Sequence, residues 1–266
     1  MPKNGESNLV EYEQDGQIVT LTLNRPEKLN AFNDDLVGAL DDALYRFDTD
    51  PEAHIAIICG SGRAYSSGAD VQQRQLRKRE EFEKLGGPQG RGTHSSDLLT
   101  KSVNWKPVIS AAHGYVLGLA VGIVMESDLI VCEEGTKFQI TETSRGLGAA
   151  KYWGMLDFRG GGAFGTEMAL TGRFFTAEEA LAAGLINRVA PKGKYLEMAK
   201  ELAREVCKNP PLSVRSTVRI RRYHMNKLGR EIMAMTAPEK LYLSEDFQEA
   251  AKAFVEKRAA GPFKAR

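Results

Sequence analysis

Short apolar runs alternate with helical patterns along the first half of the chain, and this order most constrains the fold. The runs Gln17–Leu23, His54–Cys59, Pro107–Ala112 and Asp128–Glu134 are rich in β-branched or apolar residues and indicate strands. From Asp34 onward, apolar residues recur at three- and four-residue spacing, which indicates an amphipathic helix. Strands that alternate with helices predict an α/β fold with layered sheets.

The second half carries mainly helical patterns. The sequence "TAEE" begins at Thr176 and predicts a capping box with Glu179, in which two side chains bond free N–H groups at a helix start. Further amphipathic helices are predicted from Lys194 onward, in "NPPLSVRSTVRIRRYHMNK" and in "SEDFQEAAKAFVEKR". We therefore expect a mixed core over residues 1–191 and a helical C-terminal region over residues 192–266.

The overall composition is that of an ordinary globular protein. Of the 266 residues, 42% are hydrophobic and 27% are charged, and the formal net charge is +1. A nearly neutral chain has no general attraction to nucleic acid or to an anionic membrane surface. Cys59, Cys132 and Cys207 lie far apart, as is typical of reduced thiols, and the polar N-terminus lacks the pattern of a targeting leader. We expect a cytoplasmic protein without a membrane or nucleic-acid partner.

The stretch "HGYVLGLAVGIV", residues His113–Val124, is the strongest membrane candidate in the sequence. With its flanking residues it is just long enough to span a bilayer. Gly114 and Gly118 interrupt it, however, and such breaks favour a strand, a turn and then a helix over one continuous helix.

Two glycine-containing loops each lead from a predicted strand into a predicted helix. They are Ser66–Asp70 and Leu117–Gly122. The first N–H groups of a helix have no partner inside it and carry partial positive charge. Two such groups that point at one oxygen would form an oxyanion hole, whereas the simpler interpretation is a pair of tight turns.

Six motifs follow one another in the order of a known protein family. They are "NRPEKLNAF", "SSGAD", "HGYVLGLAVGIVMESDL", "KFQITE", "ALTGRFFTAEEALAAGLINRV" and "FVEKR". Over nearly its whole length the chain resembles the crotonase family, the enoyl-CoA hydratases and isomerases. The resemblance implies a spiral of ββα units, a C-terminal helical region used for trimerisation, and a homotrimer or dimer of trimers. It also implies an acyl-CoA thioester as substrate and no cofactor besides the coenzyme A that the substrate carries.

The resemblance also assigns roles to single residues. The backbone N–H groups of Ala69 and Leu119 would hold the thioester oxygen as an enolate forms, and Glu142 would transfer protons. Leu119 replaces the glycine that is usual at its position, but its N–H is kept. Lys257 would reach the ligand of a neighbouring subunit. The expected substrate- and CoA-binding residues are Lys28, Ala31, Ser67, Asp70, Val71, Gln72, Gly118 and Lys257.

One acid that family hydratases typically carry is missing, because Gly122 stands in its place. A single glutamate suits the members that shift a double bond, or single-acid hydratases and lyases, since one base beside an oxyanion hole suffices for proton transfer next to a carbonyl. Hydration and isomerisation both stay open, as do thioester hydrolysis, C–C cleavage, and a non-catalytic acyl-CoA- or RNA-binding role. Glu126, Tyr152 and Asp157 are candidates to replace the missing acid.

The chain departs from the family pattern again after Glu142, where "SRGLGAAKYWGMLDF" lacks the usual proline. Tyr152 and Trp153 are therefore candidates for the pocket wall, although packing is the simpler interpretation. Three basic residues lie shortly after the first glycine-containing loop. Their charges could bind phosphate groups, or they could simply lie on a solvated surface. The basic helix face in "VRIRR" is interpreted as a surface or a subunit contact. His113 is interpreted as a packing residue. His94 is predicted to lie in a mobile loop. The three nearby basic residues are Arg74, Arg77 and Lys78.

Overall fold

Two β-sheets are built from strands distributed along the chain, for which a computed structural model describes residues 9–87, 99, 102 and 104–266. His94 and most of the predicted loop around it lie outside these residues. The strands are β1 (Val10–Asp15), β2 (Ile18–Leu23), β3 (Ile55–Gly60), β4 (Val108–Ala112), β5 (Tyr115–Leu117), β6 (Leu129–Glu133), β7 (Lys137–Gln139), β8 (Phe175–Thr176) and β9 (Arg188–Ala190).

The larger sheet has the strand order β1-β2-β3-β4-β6-β9, and the smaller sheet has the order β5-β7-β8. β1 and β2 form an antiparallel hairpin, whereas the other neighbours in the larger sheet are parallel. β4 belongs to the larger sheet and β5 to the smaller one, and the next pair, β6 and β7, repeats this division. This repeated ββα unit confirms the α/β spiral that the family resemblance predicts.

The helices account for most of the second half, as the sequence patterns predict. At the first helix, the side chain of Asn33 accepts a hydrogen bond from Leu36 N, and at the seventh the predicted capping box of Thr176 and Glu179 is present. The helices are α1 (Asp34–Thr49), α2 (Val71–Arg74), α3 (Arg79–Leu85), α4 (Leu119–Glu126), α5 (Ala150–Phe158), α6 (Gly162–Thr171), α7 (Ala177–Ala182), α8 (Tyr195–Cys207), α9 (Pro211–Thr236) and α10 (Glu245–Val255).

The central strands of the larger sheet are buried on both faces, which explains why they are mostly apolar. On β3, Ala56 and Ile58 point into the main core, whereas Ile55 and Ile57 point to a second cluster beneath α8. α8 therefore packs on the sheet, while α9 packs against α5. The division at residue 191 stays a prediction.

The apolar glycine stretch follows β4 and forms β5, a turn at Gly118 and most of the buried helix α4. In the described part of the chain, no helix is long and apolar enough to cross a membrane. His113 packs as expected, because its ring stacks on Tyr195 with 4.7 Å between ring centroids.

The interpretation of "VRIRR" as an exposed basic face is wrong for two of its arginines. Arg222 is 1% exposed, and its guanidinium bonds the carboxylate of Asp128, a residue at the start of β6. Arg221 bonds the same carboxylate at 3.2 Å. These arginines tie α9 to the sheet, and the sequence pattern alone does not contain this long-range pairing.

Candidate active site

The two glycine-containing loops lie side by side. Ser66 N donates to Tyr115 O and Leu117 N donates to Ser66 O, each at 3.1 Å. Gly68 lies so close to the second loop that a Cβ on it would stand 2.4 Å from Leu117 O and 3.4 Å from Leu119 N. A side chain at this position would push the loops apart.

Gly118 sets the start of α4. Its backbone has φ 49° and ψ −119°, a conformation that glycine adopts readily and other residues rarely adopt. Its N–H donates to Gln139 O at 2.9 Å, which fixes the turn to β7. Within the described residues, no backbone carbonyl accepts from the N–H of Ala69 or of Leu119. Both residues line one cavity of about 270 Å³.

The loop that begins at Arg25 supports the Ser66–Asp70 loop. Asn30 is fully buried in the left-handed backbone region, and its amide nitrogen donates to the carbonyls of Ser61, Ala64 and Tyr65. Its backbone carbonyl accepts from the Ser66 hydroxyl at 2.7 Å. Sequence reasoning missed this role, and the available signal was an asparagine between two turns, a residue type that tolerates the left-handed region.

Glu142 lies beside the Gly118 turn and lines the same cavity. A Cβ placed on Gly118 would stand 3.3 Å from Glu142 Oε1 and 2.6 Å from Thr141 Oγ1. The other carboxylate oxygen, Oε2, is buried and has no hydrogen-bond partner among the residues that the structure describes. Burial raises the pKa of Glu142, and a hydrogen bond from the Tyr152 hydroxyl and the charge of Arg145 oppose this rise. The raised pKa favours the protonated form of Glu142 and suits the group to proton transfer.

Tyr152 lies in the first turn of α5 and is 7% exposed. Its ring covers Gly122, because a Cβ on that glycine would stand 3.3 Å from Tyr152 Cε1. Burial, together with the nearby Glu142 carboxylate, raises the pKa of Tyr152 well above its usual value. The phenol is therefore neutral and acts as a hydrogen-bond donor to Glu142.

The rest of the cavity wall combines apolar side chains with one buried cation. Leu147, Met155 and Met233 line it, the last from α9. Arg74 also lines it and is fully buried, with an ion pair to Asp34 at 3.2 Å. The expectation of a solvated Arg74 is therefore wrong, since helix α2 turns this side chain inward, whereas its contact with a phosphate group stays a prediction.

Comparison with known proteins decides the family. The profile described as enoyl-CoA hydratase/isomerase matches residues 13–265. The chain belongs to this family. It is 33% identical to the carnitinyl-CoA dehydratase of Salmonella typhi, over 92% of this chain and 95% of that one, and 33% identical to the mevalonyl-coenzyme A hydratase of Aspergillus fumigatus, over 91% and 89%. The crystal structure of a carnitinyl-CoA hydratase from Mycobacterium avium matches with a TM-score of 0.78 and 28% identity, over 98% and 100% of the two chains. The protein is thus an enzyme of the hydratase/isomerase type.

Most residues that the family resemblance assigns to substrate binding cluster around the first loop of this hydratase/isomerase. Lys28 is exposed, and its carbonyl accepts from Ala31 N and, at 3.4 Å, from the Ser67 hydroxyl. Asp70 pairs with Arg25 at 2.8 Å. Burial alone would raise the pKa of Asp70, but the hydrogen bond from Arg25 lowers it below the usual value. Asp70 thereby serves the loop structure, whatever it contributes to substrate binding.

The remaining predicted positions are less closely tied to the cavity. Val71 is half-buried and Gln72 is exposed, both at the start of α2. Lys257 is exposed and follows the last helix, and its reach into a neighbouring subunit stays a prediction.

Two candidates for the missing acid are not among the described residues that line the cavity of this family member. Glu126 is 1% exposed at the end of α4, where its charge acts on Arg221 of α9. Asp157 is exposed on the outer face of α5, and Trp153 beside it donates to Thr166 Oγ1 at 3.1 Å. Among the described residues that line the cavity, neither Glu126 nor Asp157 occurs. Tyr152 is the candidate that the fold brings to Glu142.

Proposed function

We propose that the enzyme hydrates an enoyl-CoA reversibly, with the thioester carbonyl held by the N–H groups of Ala69 and Leu119 and with Glu142 as acid and base. The observation that carries this proposal is that one cavity brings all three residues together. Lys28 and the loop around Ser67 would contact the CoA part, and coenzyme A would enter only as part of the substrate. We place the reaction in the cytoplasm and expect a homotrimer or a dimer of trimers.

The chemistry follows from where charge develops. When a nucleophile adds to the β-carbon of an α,β-unsaturated thioester, the electron pair moves to the carbonyl oxygen. An N–H donor directed at such an oxygen is worth about 3–4 kcal/mol in comparable sites. Glu142 lies beside this turn with a raised pKa, so it can accept a proton from water and return it to carbon near neutral pH.

Isomerisation of the double bond is the second candidate, and Gly122 favours it. Glycine cannot supply the second acid of a typical family hydratase, and one carboxylate is enough to move a proton between carbons. The names of the relatives, one dehydratase and two hydratases, favour hydration instead. The acyl cavity is mainly apolar, with Arg74 as a buried cation at its wall.

The first prediction concerns Glu142→Gln. We expect kcat to fall about 100- to 10,000-fold, the range that general acid–base groups contribute. The measurement is turnover of paired α,β- and β,γ-enoyl-CoAs of several acyl shapes. Glu201→Gln, on the exposed face of α8, is the matched control and should keep wild-type kcat.

Unchanged turnover in Glu142→Gln would show that the proposed mechanism is wrong. Conversion of β,γ-esters without hydration of α,β-esters would favour the isomerase. Tight binding of CoA esters by the wild type without any turnover would favour a non-catalytic acyl-CoA-binding protein.

A further inference from the structure

The ring of Tyr152 occupies the space beside Gly122, where the family pattern places an acid. A Cβ on Gly122 would meet Tyr152 Cε1 at 3.3 Å and Cζ at 3.9 Å. A contact of 3.3 Å is tighter than ordinary van der Waals distance, so a side chain at position 122 would require the tyrosine ring to shift by a few tenths of an ångström. The glycine at position 122 therefore leaves room for the ring of Tyr152.

The hydroxyl group of Tyr152 lies at the remaining carboxylate. It acts on the Glu142 carboxylate as a hydrogen-bonding neighbour, and both side chains line the same cavity. A phenol oxygen that donates its proton keeps acceptor capacity for a second partner. Both residues line the cavity together with Ala69 and Leu119, so this capacity is available where a reacting water must stand.

We propose that Tyr152 replaces the missing acid as a positioning residue: its hydroxyl orients Glu142 by donating to it and holds the attacking water by accepting from it. This inference rests on the proposed hydratase function and adds a residue to it.

The step balances with one carboxylate. The water oxygen bonds the β-carbon, and the proton that it loses goes to Glu142. The electron pair of the C=C bond moves to the thioester oxygen, which the N–H groups of Ala69 and Leu119 stabilise. Glu142 then returns its proton to the α-carbon, so that one water has been added. Tyr152 keeps its own proton throughout.

The test begins with Tyr152→Phe, which removes one oxygen and keeps the ring. We expect kcat for hydration to fall about 100-fold, the lower end of the range for proton-handling groups. The hydrogen bond from Tyr152 lowers the pKa of Glu142, so its loss should move the acidic limb of the pH–rate profile to higher pH. Trp153→Phe, at the neighbouring exposed position, should change neither quantity. A purely structural tyrosine would leave the acidic limb where it is.

A swap of the two positions provides a second test. Gly122→Glu and Tyr152→Ala should each impair hydration, the first by crowding and the second by loss of the hydroxyl. The kcat of the double variant should be about tenfold higher than the value obtained by multiplying the two single effects. Tyr152→Ala makes room for the new glutamate, and that glutamate replaces the lost hydroxyl group. A kcat of the double variant that equals the product of the two single effects would contradict the inference.

The two proposals fail in different ways. Wild-type turnover in Glu142→Gln would overturn the proposed function and this inference with it. Loss of turnover in Glu142→Gln, together with unchanged kcat and pH profile in Tyr152→Phe, would overturn the inference alone.

Discussion

The buried position of Glu142 favours proton transfer but reduces the stability of the fold when the carboxylate is ionised. Its carboxylate is placed for proton transfer, but one oxygen is buried with no hydrogen bond from the described part of the chain, and burial penalises the charged form. The folded state therefore binds the Glu142 proton more tightly than the unfolded chain does. This contribution to stability is fully present below the unfolded pKa and is lost as the pH rises through the raised folded pKa. Above that raised folded pKa, the ionised Glu142 carboxylate destabilises the fold.

The stability of Glu142→Gln should therefore depend on pH. The amide has nearly the same shape and no charge, so the variant should be more stable than wild type at pH 8. The difference should shrink toward zero below about pH 4, where an unperturbed glutamate is protonated. Urea unfolding at the two pH values measures it. Glu201→Gln should show no comparable pH-dependent gain, and a variant less stable than wild type at pH 8 would contradict the prediction.

Whole elements were predictable from the sequence wherever their side-chain pattern is local and strong. The four predicted central strands lie within one residue of β2, β3, β4 and β6, because strands buried on both faces are mostly apolar and rich in β-branched residues. β1 was missed because its sequence, "VEYEQD", is mostly polar, as suits an exposed edge strand. β5, β7 and β8 span only two or three residues, too few to show a period.

Long-range pairings were beyond the reach of the sequence patterns. The bond between Tyr152 and Glu142 and the bonds from Asn30 to the Ser61–Tyr65 segment join residues that no local rule relates. By contrast, the family motifs pointed to Ala69, Leu119 and Glu142, which all line one cavity, and their catalytic roles stay a prediction.

The attachment of α9 to the sheet is the element-scale feature most open to test. Asp128 is 6% exposed and bonds Arg221 and Arg222, and its carboxylate also accepts from Val108 N. Asp128→Ala leaves Arg222 buried without this partner, which should cost about 3–5 kcal/mol of unfolding free energy. Because Met233 of α9 lines the cavity, KM for the acyl-CoA should rise as well. Urea unfolding and steady-state kinetics measure the two effects.

Asp157→Ala, at an exposed position of α5, is the control for that experiment. It should change the unfolding free energy by less than about 0.5 kcal/mol. A loss in Asp128→Ala as small as that of the control would mean that the arginines find other partners.

At the scale of the whole molecule, α9 presents apolar side chains to solvent. Leu212, Ile220 and Tyr223 are 75%, 56% and 53% exposed. Their spacing of eight and three residues places them on one side of the helix. Exposed apolar clusters of this kind are typical of protein interfaces. They support the predicted homotrimer, and Lys257 would then lie near a neighbour's active site.

Ile220→Asp tests the assembly, because a buried charge at an interface is costly when it has no partner. Wild type should sediment as three or six chains, and the variant should shift toward one chain. If Lys257 completes a neighbour's CoA site, KM should rise in Ile220→Asp and in Lys257→Ala, and combining them should add little. Leu170→Asp changes an exposed leucine on α6 instead, and this variant should keep both the assembly and the KM of wild type. A wild-type protein that sediments as a single chain would contradict the trimer, and an unchanged KM in Lys257→Ala would contradict the role of that lysine.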